Sequence, residues 1–374
     1  MKRMTVAAIE ITAQDHTYAW VPDGRNVPFE TKTLFPDSAA VPSIKLLVEA
    51  IWNELDRVRP MAVAIPGWSA PYALAALSWC GSREVPAVMM SESTADDAGR
   101  RWWREKIKGR LLRLCCAALV GGETHRFYAK QLGMRYECIF TGYDVVDNDY
   151  FVRGTDAVRG DESVQRVQHS LPARYFLASC RFVEKKNLFR LLEAFARYRQ
   201  VSRQEAWELV LLGDGELRSA VEQRIRILGL SDWVSLPGFK QYDALPVYYG
   251  LAGAFIHAST VEQWGLVVNE AMAAGLPVIV SKRCGCVSEL VEPGRNGFSF
   301  DPYDVAALAW HMEYIASGKC DRRAMGAASR EIIARWSPMT FAENLTKAVY
   351  AACAAPPSKT GLLDRGLIAA LIRR

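Results

Sequence analysis

Long apolar runs are missing from the start of the chain: Met1 to Gln14 holds only the short stretch Thr5 to Ile9 before Glu10. That is too short for the hydrophobic region of a secretory signal or for a membrane span, so no export signal is expected. Metal-ligand clusters are equally scarce. His16, His125, His169, His257 and His311 show no metal spacing, and the nine cysteines are scattered through apolar contexts. An odd, dispersed set fits reduced thiols in a cytosol better than a disulfide framework. Cys284-Gly-Cys286 is the one tempting pair, but no matching Cys/His cluster completes the roughly four ligands of a zinc site, and the segment reads as a tight turn. A large charge of one sign is also absent. The 46 Lys and Arg against 41 Asp and Glu leave +5, too little to argue for nucleic acid.

What is present is an ordinary globular composition, 50% hydrophobic and 23% charged over 374 residues. That length suggests two domains, each able to bury its own core. Apolar runs bounded by glycine alternate with amphipathic stretches, the pattern of parallel strands between crossover helices, hence an α/β fold. In the first half the strand candidates are Met61 to Ile65, Ala87 to Met90 and Ala117 to Val120, with helical patterns such as Ile44 to Val58 and Tyr72 to Trp79 between them. The stretch Val145 to Pro172 is polar and charged without a sustained apolar period. The second half restarts with Tyr175 to Ser179, Trp207 to Leu212, Val234 to Leu236, Ala254 to His257 and Pro277 to Val280. Five strand-loop-helix units in a row make a nucleotide-binding type of sheet, with ligands expected at the carboxyl ends of its strands. Gly361 to Arg374 reads as a short amphipathic helix after Pro356-Pro357.

The densest chemical signal runs from Ser259 to Pro277, with Glu262 in a polar loop and Glu270 inside the helix that follows Gly265. Unpaired backbone N–H groups at Gly265, Leu266 and Val267, reinforced by the helix dipole, suit a phosphate. A second signal is Arg181-Phe-Val-Glu-Lys185-Lys186-Asn187, a loop at a strand end bearing three cations. Held there, such charges are able to clamp a diphosphate without a metal; a single lysine taken alone reads as a solvated loop residue.

Together these stretches resemble the retaining glycosyltransferases of family 4. The family's Glu-x7-Glu signature matches Glu262 and Glu270, and its Arg-x4-Lys loop matches Arg181 and Lys186. Gly213-Asp-Gly215, Leu236-Pro-Gly238-Phe239, Gly285 with Glu289, and Asn296-Gly297 agree in order and spacing, so the likeness spans roughly 174–335. The resemblance implies the GT-B fold, two Rossmann-like domains facing each other across a deep cleft. The corresponding divisions are an acceptor-binding domain over 1–150, a linker over 151–172, a donor-binding domain over 173–350, and a tail with a helix over 351–374. It further implies a hexosyltransferase-type enzyme that moves a sugar from a nucleotide-diphosphate sugar to a hydroxyl acceptor, with no cofactor or metal. Arg181 and Lys186 would neutralise the diphosphate, and Glu262 would bind hydroxyls of the transferred sugar. Glu270 would accept from the ribose, Gly265 to Val267 would hold the distal phosphate, and Phe239 would border the base near Gly213 and Gly215. UDP is favoured over GDP on family usage alone.

The first half departs from the family. Where members carry a glycine pair in the first loop this chain has Asp15-His16, and where many place a histidine near the donor sugar it has Ser91-Glu92-Ser93. His16, Glu92 and Ser93 are therefore candidates on the acceptor side, against the alternative that residues 91–93 merely cap the next helix. Of the histidines, His257 stands closest to the signature loop. Asp147-Asn-Asp149 has the Asp-x-Asp form of metal-binding transferases but lies in the polar stretch, where chance explains it better. Residues 100–113 hold seven cations and two tryptophans, which fits a helix on an anionic membrane surface. An ordinary solvated helix with its tryptophans in the core fits as well. The expectation is a cytoplasmic protein, with peripheral contact to the inner face of a membrane as an option. The rival readings are another activity on the same architecture, such as a glycan phosphorylase or nucleotide-sugar epimerase, and a catalytically inactive sugar-nucleotide-binding or membrane-associated scaffold.

Overall fold

Runs such as Tyr-Phe-Leu-Ala-Ser, Glu-Leu-Val-Leu-Leu and Val-Ile-Val-Ser have almost no polar face, so they are stable only as strands covered on both sides. The computed structural model describes residues 4–13, 27–36, 42–97, 99, 101–202, 206–356, 358 and 360–373. Its first unit holds a parallel pair, β1 (Ala7–Thr12) with β2 (Glu30–Phe35), and a parallel four-stranded sheet. That sheet runs β3 (Val63–Pro66), β4 (Ala87–Ser91), β5 (Ala117–Val120), β6 (Ile139–Thr141) in spatial order. The intervening helices are α1 (Ile44–Val58), α2 (Pro71–Arg83), α3 (Trp102–Leu112) and α4 (Glu123–Gln131). Helix α1 starts where the Ser43 hydroxyl accepts from the Leu46 N–H and stops at Arg59 in the left-handed region, as polar N-caps and αL C-termini dictate.

The second unit begins with α5 (Asn148–Gly160) and α6 (Glu162–Gln168), then alternates β7 (Tyr175–Ser179), α7 (Leu188–Ser202), β8 (Glu208–Leu212), α8 (Arg218–Ile227) and β9 (Val234–Gly238). It continues with α9 (Leu245–Gly250), β10 (Ala254–His257), α10 (Leu266–Ala273), β11 (Val278–Ser281), α11 (Val287–Leu290) and β12 (Gly297–Phe300), followed by α12 (Val305–Ala316) and α13 (Arg322–Ile333). The six parallel strands lie in the order β9-β8-β7-β10-β11-β12. This is the doubly wound arrangement, in which strand order reverses between the first and fourth strands, here β7 and β10.

Two boundaries drawn from composition differ from the packing. The expected linker 151–172 is largely helical: Asp147 caps α5 by accepting from the Tyr150 N–H at 2.9 Å. Arg159 of α5 donates to the Gly250 and Ala274 carbonyls of the second unit. Helix α5 fully buries Phe151 and Thr155, with Phe151 edge-on to Tyr242 and Tyr249, and α6 buries no residue fully, so a narrow apolar contact and these polar bonds together hold them. At the other end, α14 (Pro338–Ala354) and α15 (Leu362–Ile372) leave the second unit and complete the core of the first, where Ala348, Ala352, Ile368 and Ile372 join Val88, Ala117 and Ile139. The chain thus crosses between units twice, over 142–147 and 334–337, and the crossings touch. Asn148 Nδ2 donates to the carbonyls of Ile333 and Trp336, and Asn344 Nδ2 donates to that of Thr141.

Candidate active site

The reversal between β7 and β10 opens a crevice at their carboxyl ends, into which the loops 180–187 and 258–265 both run. The first loop is moulded by the turn after β8. Gly213 has φ +128° and packs so closely that a Cβ there would lie 1.9 Å from the Cys180 carbonyl oxygen; at Gly215 a Cβ would come within 2.7 Å of the Phe182 carbonyl. Phe182 N–H donates to the Asp214 carbonyl at 2.7 Å, closing this contact. The loop then makes a 3-10 turn over Glu184–Lys186 that ends at Asn187 in the left-handed region, φ +60°. The buried Asn187 side chain donates to the carbonyls of Ala258 and Pro302 at 3.1 and 2.8 Å, and the Thr260 N–H donates to the Lys185 carbonyl at 2.8 Å. These bonds stitch the basic loop to the acidic one.

As a result Lys186 Nζ pairs with Glu262 Oε2. His257 Nε2 lies 3.0 Å and Ser259 Oγ 3.1 Å from the same oxygen, so three donors converge on Oε2. Both partners of the ion pair are 12–13% exposed. Burial alone would raise the Glu262 pKa, but the His257 hydrogen bond and the Lys186 charge outweigh it and hold the carboxyl well below the usual range. Burial likewise lowers the pKa of His257, which as a neutral ring donates from Nε2. Arg181, at the start of the same loop, is exposed.

Gly265, with φ +105°, turns the acidic loop into α10, leaving Leu266 exposed and Val267 half-buried at its first turn. Glu270 is carried inward along this helix. Its Oε2 accepts from the Tyr249 hydroxyl at 2.7 Å, and burial pushes its pKa up to about 7 against the lowering effect of that bond. Phe239 follows the end of β9 and is exposed. Cys284 and Cys286 are buried free thiols in a turn beneath the acidic loop, with the Gly285 N–H donating to the Glu262 carbonyl at 3.0 Å.

The first unit meets this site directly. Burial raises the Glu92 pKa; the charges of Glu262 and Asp97 push the same way, and that of Lys185 opposes, so Glu92 lies within electrostatic reach of the carboxylate and basic loop of the other unit. Asp144, also buried, is raised by burial and by the Glu92 charge. Ser93 is engaged locally, its N–H donating to Ser91 Oγ at 3.1 Å. His16 lies outside the described residues.

Sequence reasoning missed His125, Tyr249, Asn187 and Gln263. His125 Nδ1 accepts from the Gly122 N–H at 3.1 Å, so Nε2 carries the proton and donates across the units to the Gln263 carbonyl at 2.9 Å. Gln263 Nε2 donates to Asp97 Oδ2 at 3.2 Å, and Glu289 Oε1 accepts from the Glu123 N–H at 2.9 Å. No spacing in the sequence couples residues so far apart; only the asparagine at a strand-loop end carried a local signal, since asparagine tolerates the left-handed region.

The family model described as glycosyl transferases group 1 matches residues 161–332. The alpha-monoglucosyldiacylglycerol synthase of Acholeplasma laidlawii is 27% identical over 201 residues, 52% of this chain and 48% of that protein. The GDP-mannose-dependent alpha-(1-6)-phosphatidylinositol monomannoside mannosyltransferase of Mycobacterium tuberculosis is 30% identical over 173 residues, 44% of each. The chain therefore spans about half or less of the length of these relatives. Among solved structures, sucrose-phosphate synthase from Thermosynechococcus elongatus superposes with a TM-score of 0.70 at 20% identity, over 92% of this chain and 89% of that one. Anabaena Alr3699/HepE in complex with UDP gives 0.68 at 17% identity, over 86% of each. At such identities the likeness establishes the fold, which is GT-B: two Rossmann-like domains facing each other across a cleft.

Proposed function

We propose that this chain is a retaining, metal-independent glycosyltransferase of family 4 that moves a sugar from a nucleotide-diphosphate donor, a UDP-sugar in preference to a GDP-sugar, to a hydroxyl acceptor. The observation that carries the proposal is the meeting of the Lys186–Glu262 pair with the start of α10 at the point where the order of the second sheet reverses. Ligands of doubly wound folds bind at such a point. A diphosphate entering there finds Arg181, Lys185 and Lys186 on one side and the first N–H groups of α10 on the other. Glu262 Oε1, which takes none of the three bonds converging on Oε2, is the acceptor for hydroxyls of the sugar. Glu270 serves the ribose, and Phe239 borders the base.

In the reaction the bond from C1 of the sugar to the diphosphate oxygen breaks and its electron pair stays on the leaving group. The acceptor oxygen bonds C1 on the same face, and its proton passes to a donor phosphate oxygen. The cationic loop then acts where charge grows, the usual source of the largest catalytic term. Glu92, within electrostatic reach of Glu262 from the first unit, is the residue assigned to border the arriving acceptor hydroxyl.

The test is a thermal-shift series with UDP, UDP-sugars and GDP-sugars, followed by donor turnover with and without acceptor. A ligand at about 100 times its Kd adds about 2.7 kcal/mol to native stability. Lys186→Ala and Glu262→Ala are expected to lower turnover by roughly 10²–10³ while leaving the fold intact. Near-normal turnover in both variants refutes the assignment, and tight nucleotide binding without any nucleotide release would instead support a binding-only scaffold.

A further inference from the structure

The tryptophan-bearing basic helix is not buried by its neighbours. Trp102 at the head of α3 is 71% exposed, and Lys106, one turn on, lies with its ammonium 4.9 Å from the Trp102 ring. Lys106, Arg110 and Arg113, which share that face of the helix, line a groove of about 930 Å³. Its opposite wall is α15. That helix turns Ile368 and Ile372 into the core but presents Leu363 and Leu367 to the groove, and Leu362 and Leu363 are 87% and 75% exposed. Arg110 Nε holds the two helices together through Asp364 Oδ1 at 2.6 Å.

The residues 101–113 and 361–373 carry eight cations against two carboxylates, more net positive charge than the whole chain. We propose that this face, α3 with α15, docks flat on an anionic lipid bilayer, with Trp102, Leu362 and Leu363 entering the headgroup boundary and the arginines and lysines meeting phosphate. Aromatic and leucine side chains flanked by cations are the chemistry of that boundary. Among the described residues no helix is long and apolar enough to cross a membrane, so the contact is a surface one. The loop between Glu92 and Trp102 also carries Asp97, bonded to Gln263 beside the site, so the docked face adjoins the cleft. Resting on the transferase reading, a hydroxyl acceptor carried on a lipid would then enter from the bilayer.

The test uses the full chain without nucleotide, sedimented with vesicles of phosphatidylcholine alone or with an equal part of phosphatidylglycerol. Binding is expected only to the anionic vesicles, and to weaken with salt. Lys106→Gln with Arg113→Gln should weaken it roughly fivefold for each cation removed, and Leu362→Ser with Leu363→Ser about tenfold or more. Both pairs are exposed or half-exposed side chains outside the donor site, and an unchanged melting temperature without nucleotide verifies that the variants are folded. Wild-type protein that stays in the supernatant, or variants that bind like wild type, overturn the proposal. So does a single-stranded RNA oligonucleotide bound through these same residues when vesicles are not. Donor binding is read separately, so failure of the docking leaves the transferase assignment standing, and failure of the latter leaves the docking.

Discussion

Glu270→Gln tests the electrostatics of the donor helix most sharply. The carboxyl is buried on α10 and keeps its proton up to a pH of about 7, against an ordinary value of 4.5. Between those two values the unfolded chain has released a proton that the native protein retains, so native stability must fall as pH rises through the window. Above about pH 7 both states are ionised and the loss is complete. At 1.36 kcal/mol for each unit of pKa difference, the full loss is ~3 kcal/mol. Glutamine keeps the shape, still accepts from the Tyr249 hydroxyl, and does not titrate. The stability of the wild type relative to Glu270→Gln should therefore drop by ~3 kcal/mol between pH 5 and 8, measured by urea unfolding at intervals across that range. Calorimetry adds a second reading. If ribose hydroxyls donate to the ionised carboxylate, UDP binding near pH 7 should release a proton, visible as a binding enthalpy that changes with the ionisation enthalpy of the buffer. A difference between the two proteins that stays flat with pH would refute the burial-driven shift.

Gly213→Ala should destabilise the protein by several kcal/mol and weaken nucleotide binding, because its Cβ would collide with the Cys180 carbonyl that shapes the basic loop. Gly294→Ala, at φ +81° with no heavy atom within 4 Å of the new Cβ, should cost only about 1–2 kcal/mol; equal melting temperatures for the two would contradict the packing argument. Asn187→Ala leaves the Ala258 and Pro302 carbonyls without their buried donor and should cost about 2–4 kcal/mol, with a matching loss of donor affinity in a nucleotide titration. His125→Leu removes the bonds to Gly122 and Gln263 and should cost about 1–3 kcal/mol at neutral pH. Burial depresses the His125 pKa below its ordinary 6.5. The unfolded chain therefore protonates first on acidification, and the wild type loses stability below about pH 6.5. The leucine variant should show a shallower acid limb, and an unchanged one would show that His125 does not carry it.

Five of the six strands of the second sheet were readable because they are apolar runs that stop before glycine or a small polar residue, as at Leu212-Gly213 and His257-Ala258-Ser259; the sixth, Gly297–Phe300, is only half-buried in its middle and was not among the candidates. Ala254–His257 and Tyr175–Ser179 begin and end where the apolar runs do. Helices α5 and α6 were not readable, since apart from the buried Phe151 their anchoring comes from polar side chains such as Asp147, Asp156 and Arg159 rather than from a long periodic apolar stripe. Within the site, Lys186 and Glu262 stood out through local charge in loops at strand ends. Tyr249 and His125 did not, because what makes each of them matter is one bond to a residue distant in sequence, and neither flanking context differs from that of an ordinary core aromatic or capping residue. The fate of the basic helix was undecidable from its own pattern, because seven cations and two tryptophans suit a solvated face and a core-facing one equally, and only the packing leaves Trp102 exposed.

The paired crossings near Asn148 and Asn344 have a mechanical consequence. Two neighbouring backbone connections, tied to one another by side-chain amides, resist twisting of one lobe about the other much as a two-pin door hinge does, and leave opening and shutting as the compliant direction. They also mean that the first lobe is assembled from two separate pieces of polypeptide, whereas the second is one continuous insertion between them. A fragment ending before Pro338 would lack α14 and α15 and expose the apolar floor they cover, so the amino-terminal lobe should form soluble protein only when the last helices are supplied with it.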